Sequence, residues 1–344
     1  MRLLDFFLAL VSTVLIFYLL IVGKDLLIPF FLAVILWYLI NILANAFQKI
    51  HIYKFRLPLW LAFVLSFITM SGLVAFFVNL ISNNIADVVV VAPAYQKKLT
   101  SLIAQSYHLF NLQEPPTIRQ LIGTIDIAGL LSQFALTITE FVSKAGIILI
   151  YLVFLFLEQK SFQLKLGALI KQPNKRKEIF QLLKRIDRDI QIFIGIKTFD
   201  SALTAIVAYL IMASQGLDFA EFWAILIFTL NFIPSIGSIV ATIFPSVFAI
   251  IQYEKVYPIL IVAGGIGILQ FLIGNILEPR LMGNNLNLSP IVIILSLFLW
   301  GALWGIAGMI LCVPITVILM IILSHFEKTR PIAILLSRDG NITE

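Results

Sequence analysis

Four of the polar side chains in the largely apolar segment "IFIGIKTFDSALTAIVAYLI" have a spacing that could support ion chemistry. Lys197, Asp200, Ser201 and Thr204 fall at positions i, i+3, i+4 and i+7, so a helix would place all four on one face. If the helix crosses a membrane, each charge costs roughly 2.5–3.5 kcal/mol on insertion scales and has to face an interior or a water-filled cavity.

Two interpretations of this face stay open. Lys197 and Asp200 are close enough in sequence to form a structural ion pair, with Lys197 extending towards the membrane interface. Alternatively, Asp200 binds or relays a cation along a solvated path, which the neighbouring hydroxyl groups of Ser201 and Thr204 favour. Lys197 and Asp200 are therefore candidates for coupling ion movement to transport.

The elements that carry these residues are membrane-spanning helices. Of the 344 residues, 61% are apolar and 12% charged, whereas about a quarter of the residues in a soluble domain are charged. Apolar runs of 20 or more residues recur along the whole chain, which predicts an all-α, polytopic membrane protein. We expect about eight transmembrane helices, at 6–22, 26–47, 58–81, 137–157, 192–213, 222–250, 256–277 and 291–324.

The distribution of basic residues predicts the orientation of the chain. The loop 158–191 is the most basic, and the positive-inside rule places it in the cytoplasm. Counting spans outward from this loop predicts cytoplasmic N- and C-termini and an extracytoplasmic 82–135 region. Because the net charge of +6 concentrates beside membrane spans, we expect contact with the lipid bilayer and none with nucleic acid.

We divide the chain into six regions. They are a three-span region (1–81), an extracytoplasmic amphipathic helical region (82–136), span four (137–157), a basic amphipathic helix region (158–191), a transport core (192–324) and a tail (325–344). The 82–136 region is either a helical cap on the membrane or a ligand-binding domain. The basic helix continues into span five, and is either a lever or a solvated helix lying against headgroups.

An unusual segment, "NFIPSIGSIVATIFPS", lies inside the 32-residue run Phe222–Tyr253, which contains no Asp, Glu, Lys or Arg. Pro234 removes a backbone hydrogen bond, Gly237 adds conformational freedom, and Asn231 can satisfy freed backbone groups. Irregular backbone at membrane depth is tolerated where protein buries it or a cavity hydrates it. The segment is either a proline kink for packing or the interrupted helix of a transport site.

A second interruption, "GNILEPRLMGNNLNLSP", holds Asn275, Glu278 and Gly283. The apolar run that follows it is too long for one upright helix, so it is a broken helix or a re-entrant hairpin followed by a span. Two interrupted segments in the C-terminal half favour a permeation pathway there. The predicted path residues are Asn231, Pro234, Gly237, Asn275, Glu278 and Gly283, and Glu278 is a further coupling candidate.

Sequence motifs for other chemistry are absent. The chain has no G-x-x-x-x-G-K-[ST], H-E-x-x-H or G-x-S-x-G pattern, and its three histidines lie far apart in sequence. We therefore expect no enzymatic activity, no cofactor and no metal site.

Several long segments resemble one known family. "NFIPSIGSIVATIFPS", "NILEPRLMGNNLNLSPIVIILSLFLWGALWGIAGMILCVPIT", "RPIAILLSRDG" and "RIDRDIQIFIGIKTFDSALTAIVAYLI" are similar to the hallmark segments of the autoinducer-2 exporter family of bacterial membrane proteins. The resemblance implies eight spans, cytoplasmic termini, residence in the bacterial cytoplasmic membrane and assembly as a homo-oligomer. It also implies export of the quorum-sensing furanone autoinducer-2, or sodium or lithium/proton antiport.

Two classes of function therefore compete. The first is a gradient-driven secondary transporter for a small polar solute, Na⁺ or H⁺. The second is a membrane scaffold whose loops recruit partners. Interrupted spans favour transport, because a scaffold has no use for hydrated backbone inside a bilayer.

Overall fold

The computed structural model describes residues 3–49, 57–80, 98, 101, 143–253, 255–283 and 287–340. Nearly all of the predicted 82–136 region lies outside these residues. The described helices are α1 Leu3–Val22, α2 Lys24–Lys49, α3 Leu59–Leu80, α4 Ala145–Leu169, α5 Pro173–Gln215, α6 Ala220–Leu230, α7 Ile236–Gln252, α8 Val256–Met282, α9 Pro290–His325 and α10 Arg330–Leu336. The predicted all-α membrane fold is confirmed.

Five helices, α2, α3, α5, α8 and α9, are long and apolar enough to cross a membrane. A sixth is added if the two parts of α4, Ala145–Gln159 and Ser161–Leu169, which meet at 59°, count as one span. The described residues therefore do not confirm the predicted count of eight. The protein is a multi-pass membrane protein.

The chain divides into two compact units. The first comprises Met1–Phe67, Lys144–Ile196 and Leu281–Glu344, and the second comprises Ile68–Ser143 and Lys197–Arg280. In the first unit, α1 and α2 are joined by a tight turn at Gly23, whose N–H donates to the Leu19 carbonyl at 2.8 Å. Lys144 joins this turn to the start of α4 through a 3.0 Å ion pair with Asp25.

Helix α5 confirms that the basic amphipathic helix and span five are continuous, since it runs unbroken for 43 residues. That length corresponds to about 65 Å, roughly twice the hydrocarbon core of a bilayer. Asp187 shares a hydrogen bond with the Tyr38 hydroxyl of α2, and Ile190 and Phe193 are buried. This stretch of the helix is therefore packed against protein.

The predicted span 222–250 is wrong as a single crossing helix. It consists of α6 and α7, and the ends of this pair meet: Gln252 Nε2 donates to the Gly216 carbonyl at 2.9 Å, and the Asp218 N–H donates to Gln252 Oε1 at 2.8 Å. The rings of Trp223 on α6 and Phe248 on α7 lie 5.2 Å apart. The segment is a helical hairpin because the Pro- and Gly-containing break reverses the chain.

Helix α9 also folds back. Gly305 has φ 60° and ψ −139°, a left-handed conformation that side chains rarely tolerate. A Cβ on Gly301 would lie 3.1 Å from Met309 Cγ, whereas eight residues of a straight helix span about 12 Å. Between the predicted broken helix and re-entrant hairpin, the structure favours a hairpin that reverses at Gly305.

Glycines close both hairpins. A Cβ on Gly237 would lie 1.8 Å from the Leu230 carbonyl oxygen, and one on Gly308 would lie 1.9 Å from the Trp300 carbonyl oxygen. Neither contact is possible for a residue with a side chain. Each reversal therefore depends on a glycine pressed against a main-chain carbonyl of the opposite arm.

The core of the second unit joins its hairpin to neighbouring helices. Phe222, Trp223 and Ile227 of α6 are almost fully buried with Met212 of α5 and Ile266 of α8. Inside a membrane, close packing of such side chains holds helices together, and here it fixes α6 against α5 and α8. The core thereby positions the break after Leu230 and the polar residues of α5 and α8.

Candidate functional site

An ion pair between α5 and α8 forms the centre of the site. Lys197 Nζ lies 2.5 Å from Glu278 Oε1, and the exposed fractions of the two side chains are 9% and 22%. Of the two interpretations left open by the sequence, the structure does not show the ion pair between Lys197 and Asp200, because Lys197 contacts Glu278 instead. Asp200 is only three residues from Lys197 along the helix, but α8 brings in a carboxylate that the ammonium contacts directly.

Asp200 is left as a buried carboxylate without a hydrogen-bond partner among the described residues. Both of its side-chain oxygens are fully enclosed, and so is the unpartnered Ser201 Oγ. Its charged neighbours are Glu278, which repels a negative charge there, and Lys197, which attracts it. Because burying an unpaired charge is costly, this carboxylate needs a proton or a cation.

The predicted shared face of α5 is confirmed by burial. Lys197, Asp200, Ser201 and Thr204 are 7%, 3%, 0% and 0% exposed. Thr204 Oγ1 donates to the Asp200 main-chain carbonyl at 2.6 Å, so its hydroxyl is occupied by the helix itself. The oxygens free to bind an ion are therefore those of Asp200 and Ser201. Among the described residues, no group of three or more His, Cys, Asp or Glu could hold a metal ion.

A local change of helix type positions Glu278. Ile273–Leu277 forms a π-helical turn, and the Glu278 N–H donates to the Ile273 carbonyl, five residues earlier. A π turn takes up one more residue than an α turn. The step of eight residues from Gln270 to Glu278 therefore covers about two helical turns, which puts both side chains on one face of α8, ~11 Å apart along the helix axis.

Gln270 is a site residue that the sequence analysis missed. Its Nε2 donates to Asn231 Oδ1 at 3.0 Å, and Gln270 is 9% exposed. A lone glutamine in the uncharged, largely apolar run from Val256 to Leu277 was the available signal. The amide pair connects α8 to the reversal of the first hairpin, since Asn231 directly follows α6.

The predicted path residues fall into two groups. Asn231, Pro234 and Gly237 lie together at the reversal between α6 and α7, where Ser235 adopts a left-handed φ of 59°. Asn275 and Gly283 are not part of this reversal. Asn275 is exposed and donates to the Phe271 carbonyl of its own helix, whereas Gly283 belongs to the other unit and ends α8 with φ 54°.

Comparison with known proteins identifies the family. The family model described as AI-2E family transporter matches residues 8–328 of the chain. The chain belongs to the AI-2E transporter family. This result confirms the resemblance found in the sequence segments and makes the chain one of a family of transport proteins.

Individual AI-2E relatives are similar over most of their length. The AI-2 transport protein TqsA of Escherichia coli strain K12 is 29% identical over 319 residues, which cover 92% of this chain and 90% of TqsA. A protein of Haemophilus influenzae, provisionally named a transport protein, is 31% identical over 82% of both chains. A protein of Borreliella burgdorferi with the same provisional name is 32% identical over 71% of this chain and 67% of its own.

Proposed function

We propose that the protein is a secondary transporter that moves a small polar solute out of the cell and is driven by a cation gradient. The observation that carries the proposal is the buried Asp200 carboxylate, which lacks a partner among the described residues and lies beside the Lys197–Glu278 pair. With Lys197 already neutralised by Glu278, a proton, Na⁺ or Li⁺ would complete the charge balance at Asp200.

The roles of the three charged residues follow from this arrangement. Asp200 is the coupling carboxylate that binds the cation, with Ser201 Oγ as a second oxygen ligand. Glu278 is the second coupling carboxylate, and it forms its ion pair with Lys197 when no other cation is bound to it. Because only one of the two carboxylates is paired, the site has room for one additional positive charge.

The proposed solute is autoinducer-2 or a molecule like it, since a relative that is similar over nearly its whole length is named an AI-2 transport protein. A second candidate is sodium or lithium/proton antiport. The cluster of Lys197, Asp200 and Glu278 would support it without any site for an organic solute. Membership of a family of transport proteins supports the expectation that the protein is not an enzyme. A scaffold role explains neither the enclosed carboxylate nor the amide pair.

We place the protein in the bacterial cytoplasmic membrane as a homo-oligomer with both termini in the cytoplasm. The two hairpins change how the crossings are counted. If the hairpins at 222–250 and 291–324 each enter and leave on one side, six of the eight spans predicted from the sequence remain as crossings, and an even number again puts the termini on the side of the basic loop.

Everted membrane vesicles containing the protein test the proposal. A pH-gradient dye is followed while Na⁺, Li⁺ and the furanone are added in turn, with Asp200→Asn and Glu278→Gln as variants. A response to a cation or to the furanone that Asp200→Asn abolishes supports the proposal and identifies the coupled species. If both variants respond as the unmodified protein does, these carboxylates are not the coupling site.

A further inference from the structure

The amide pair between Asn231 and Gln270 leaves one donor and one acceptor open. Gln270 Nε2 and Asn231 Oδ1 bond to each other, and the remaining atoms, Gln270 Oε1 and Asn231 Nδ2, have no partner among the described residues. Neither of these two atoms is among the fully enclosed unpartnered polar atoms, in contrast to the oxygens of Asp200. Each of the two open amide atoms therefore keeps some exposed surface.

The amide pair lies at the reversal of the first hairpin, a position suited to binding a solute. Asn231 lies at the reversal of the first hairpin, where the helix α6 has ended and Pro234 lacks an N–H. An open amide at membrane depth is costly unless water or a ligand bonds to it. Since α8 carries Gln270 and Glu278 on one face, the amide pair is about two helical turns from the proposed ion site.

The chemistry of the pair selects a class of solute. An open donor and an open acceptor on one hydrogen-bonded pair complement a hydroxyl group, or two neighbouring hydroxyl groups, which both donate and accept. No charged residue lies in the run from Phe222 to Tyr253, so this run around the reversal has no charge that would balance a charged solute. A neutral molecule with adjacent hydroxyl groups fits both conditions.

We propose that Gln270 and Asn231 form the solute-binding site, with Gln270 Oε1 accepting from, and Asn231 Nδ2 donating to, hydroxyl groups of a neutral solute. The inference rests on the proposed transport function and adds Gln270 to it. The pair binds the solute directly, whereas Asp200 and Glu278 act on the cation.

Solute counterflow in proteoliposomes tests this assignment. Purified protein is reconstituted, and the exchange of radiolabelled furanone autoinducer-2, ribose and erythritol is measured against concentration, with lactate as a charged probe of similar size. Gln270→Met keeps the length of the side chain and removes the amide. The double variant Asn231→Gln/Gln270→Asn keeps both amides, and Gln215→Met is a matched control because Gln215 lies at the far end of the hairpin, where its carbonyl bonds to Tyr253.

We expect exchange of at least one neutral probe and none of lactate. Gln270→Met should raise the half-saturating concentration about tenfold or more, with the rate at saturation nearly unchanged, since one to two hydrogen bonds to the solute are lost. The double variant should return the half-saturating concentration to within about threefold of the original value, and Gln215→Met should leave it unchanged.

Three results would overturn the assignment. An unchanged half-saturating concentration in Gln270→Met, with exchange still present, removes the amide pair from the solute site and leaves the transport function standing. A lower thermal midpoint and lower saturating rate without a change in half-saturation would make the pair structural. If the unmodified protein exchanges no probe and shows no cation response in vesicles, the proposed function itself fails and the solute site with it.

Discussion

Lys197 and Glu278 form an ion pair across two helices, with 2.5 Å between Nζ and Oε1, although Asp200 lies one turn from Lys197 on the same helix. The pairing separates the roles of two carboxylates that sequence analysis had proposed together. Glu278 has its counter-charge within the protein. Asp200 has no counter-charge in direct contact with its carboxylate among the described residues. This difference makes Asp200 the better candidate for binding an exchangeable cation.

Removing the ammonium should destabilise the second unit. Lys197→Met leaves two buried carboxylates without a counter-charge, and breaking one partner of a buried pair typically costs about 3–5 kcal/mol. The double variant Lys197→Met/Glu278→Gln should recover much of that loss. Thermal unfolding in detergent measures both. Lys165→Met is the control, because its ion pair with Glu158 is exposed and such pairs contribute about 0–1 kcal/mol.

Asp200→Asn should abolish coupled flux without lowering stability. The amide keeps the shape of the carboxylate and removes an unpaired buried charge, so the unfolding midpoint should stay the same or rise. Asp189→Asn is the matched comparison, since Asp189 is equally buried but contacts Arg185 and Arg188. That variant should lower the midpoint. A loss of stability in Asp200→Asn as large as in Asp189→Asn would show that Asp200 has a structural partner.

The glycines at the two reversals should not accept a side chain. Gly237→Ala and Gly308→Ala each place a Cβ within 2 Å of a main-chain carbonyl, and overpacking of this kind costs about 1–3 kcal/mol or more. Gly264→Ala is the control, because no atom of the described residues lies within 4 Å of a Cβ there and alanine favours a helix. Unfolding midpoints that move equally in all three variants would argue against the two close approaches.

The first hairpin should place both of its ends on one side of the membrane. In a Cys312→Ser background, which removes the single cysteine, Asp218→Cys and Lys255→Cys flank the hairpin at exposed positions. A membrane-impermeant maleimide added to intact cells should label both, and should not label Lys175→Cys in the basic loop. Labelling of only one of the two flanking cysteines would restore 222–250 as a crossing helix.

Local pattern predicted the shared polar face but not its partners. The spacing of Lys197, Asp200, Ser201 and Thr204 is a property of one helix, and the structure buries all four together. The partner of Lys197 is set by packing of the distant segment that carries Glu278, so the spacing alone left both an ion pair with Asp200 and a cation site at Asp200 open. The π turn that orients Glu278 and the bond from Gln270 to Asn231 also depend on tertiary contacts.

The positions of the two interruptions in the C-terminal half were predicted from proline and glycine. The path of the backbone through each interruption could not be predicted from these residues. The same residues permit a kink, a broken helix or a complete reversal. The reversal is decided by contacts between the arms, such as Trp223 with Phe248 and Trp300 with Gly308. The predicted count of eight spans depended on that difference.

Uphill transport in proteoliposomes tests the gradient-driven mechanism most directly. The furanone and the neutral solutes that exchange in counterflow are measured inside vesicles with and without an imposed Na⁺ or pH gradient. The account predicts accumulation beyond equilibrium only when a gradient is present, and Asp200→Asn should keep downhill exchange while losing accumulation. Equilibration to the same level with and without a gradient, or full accumulation by Asp200→Asn, would contradict the central claim.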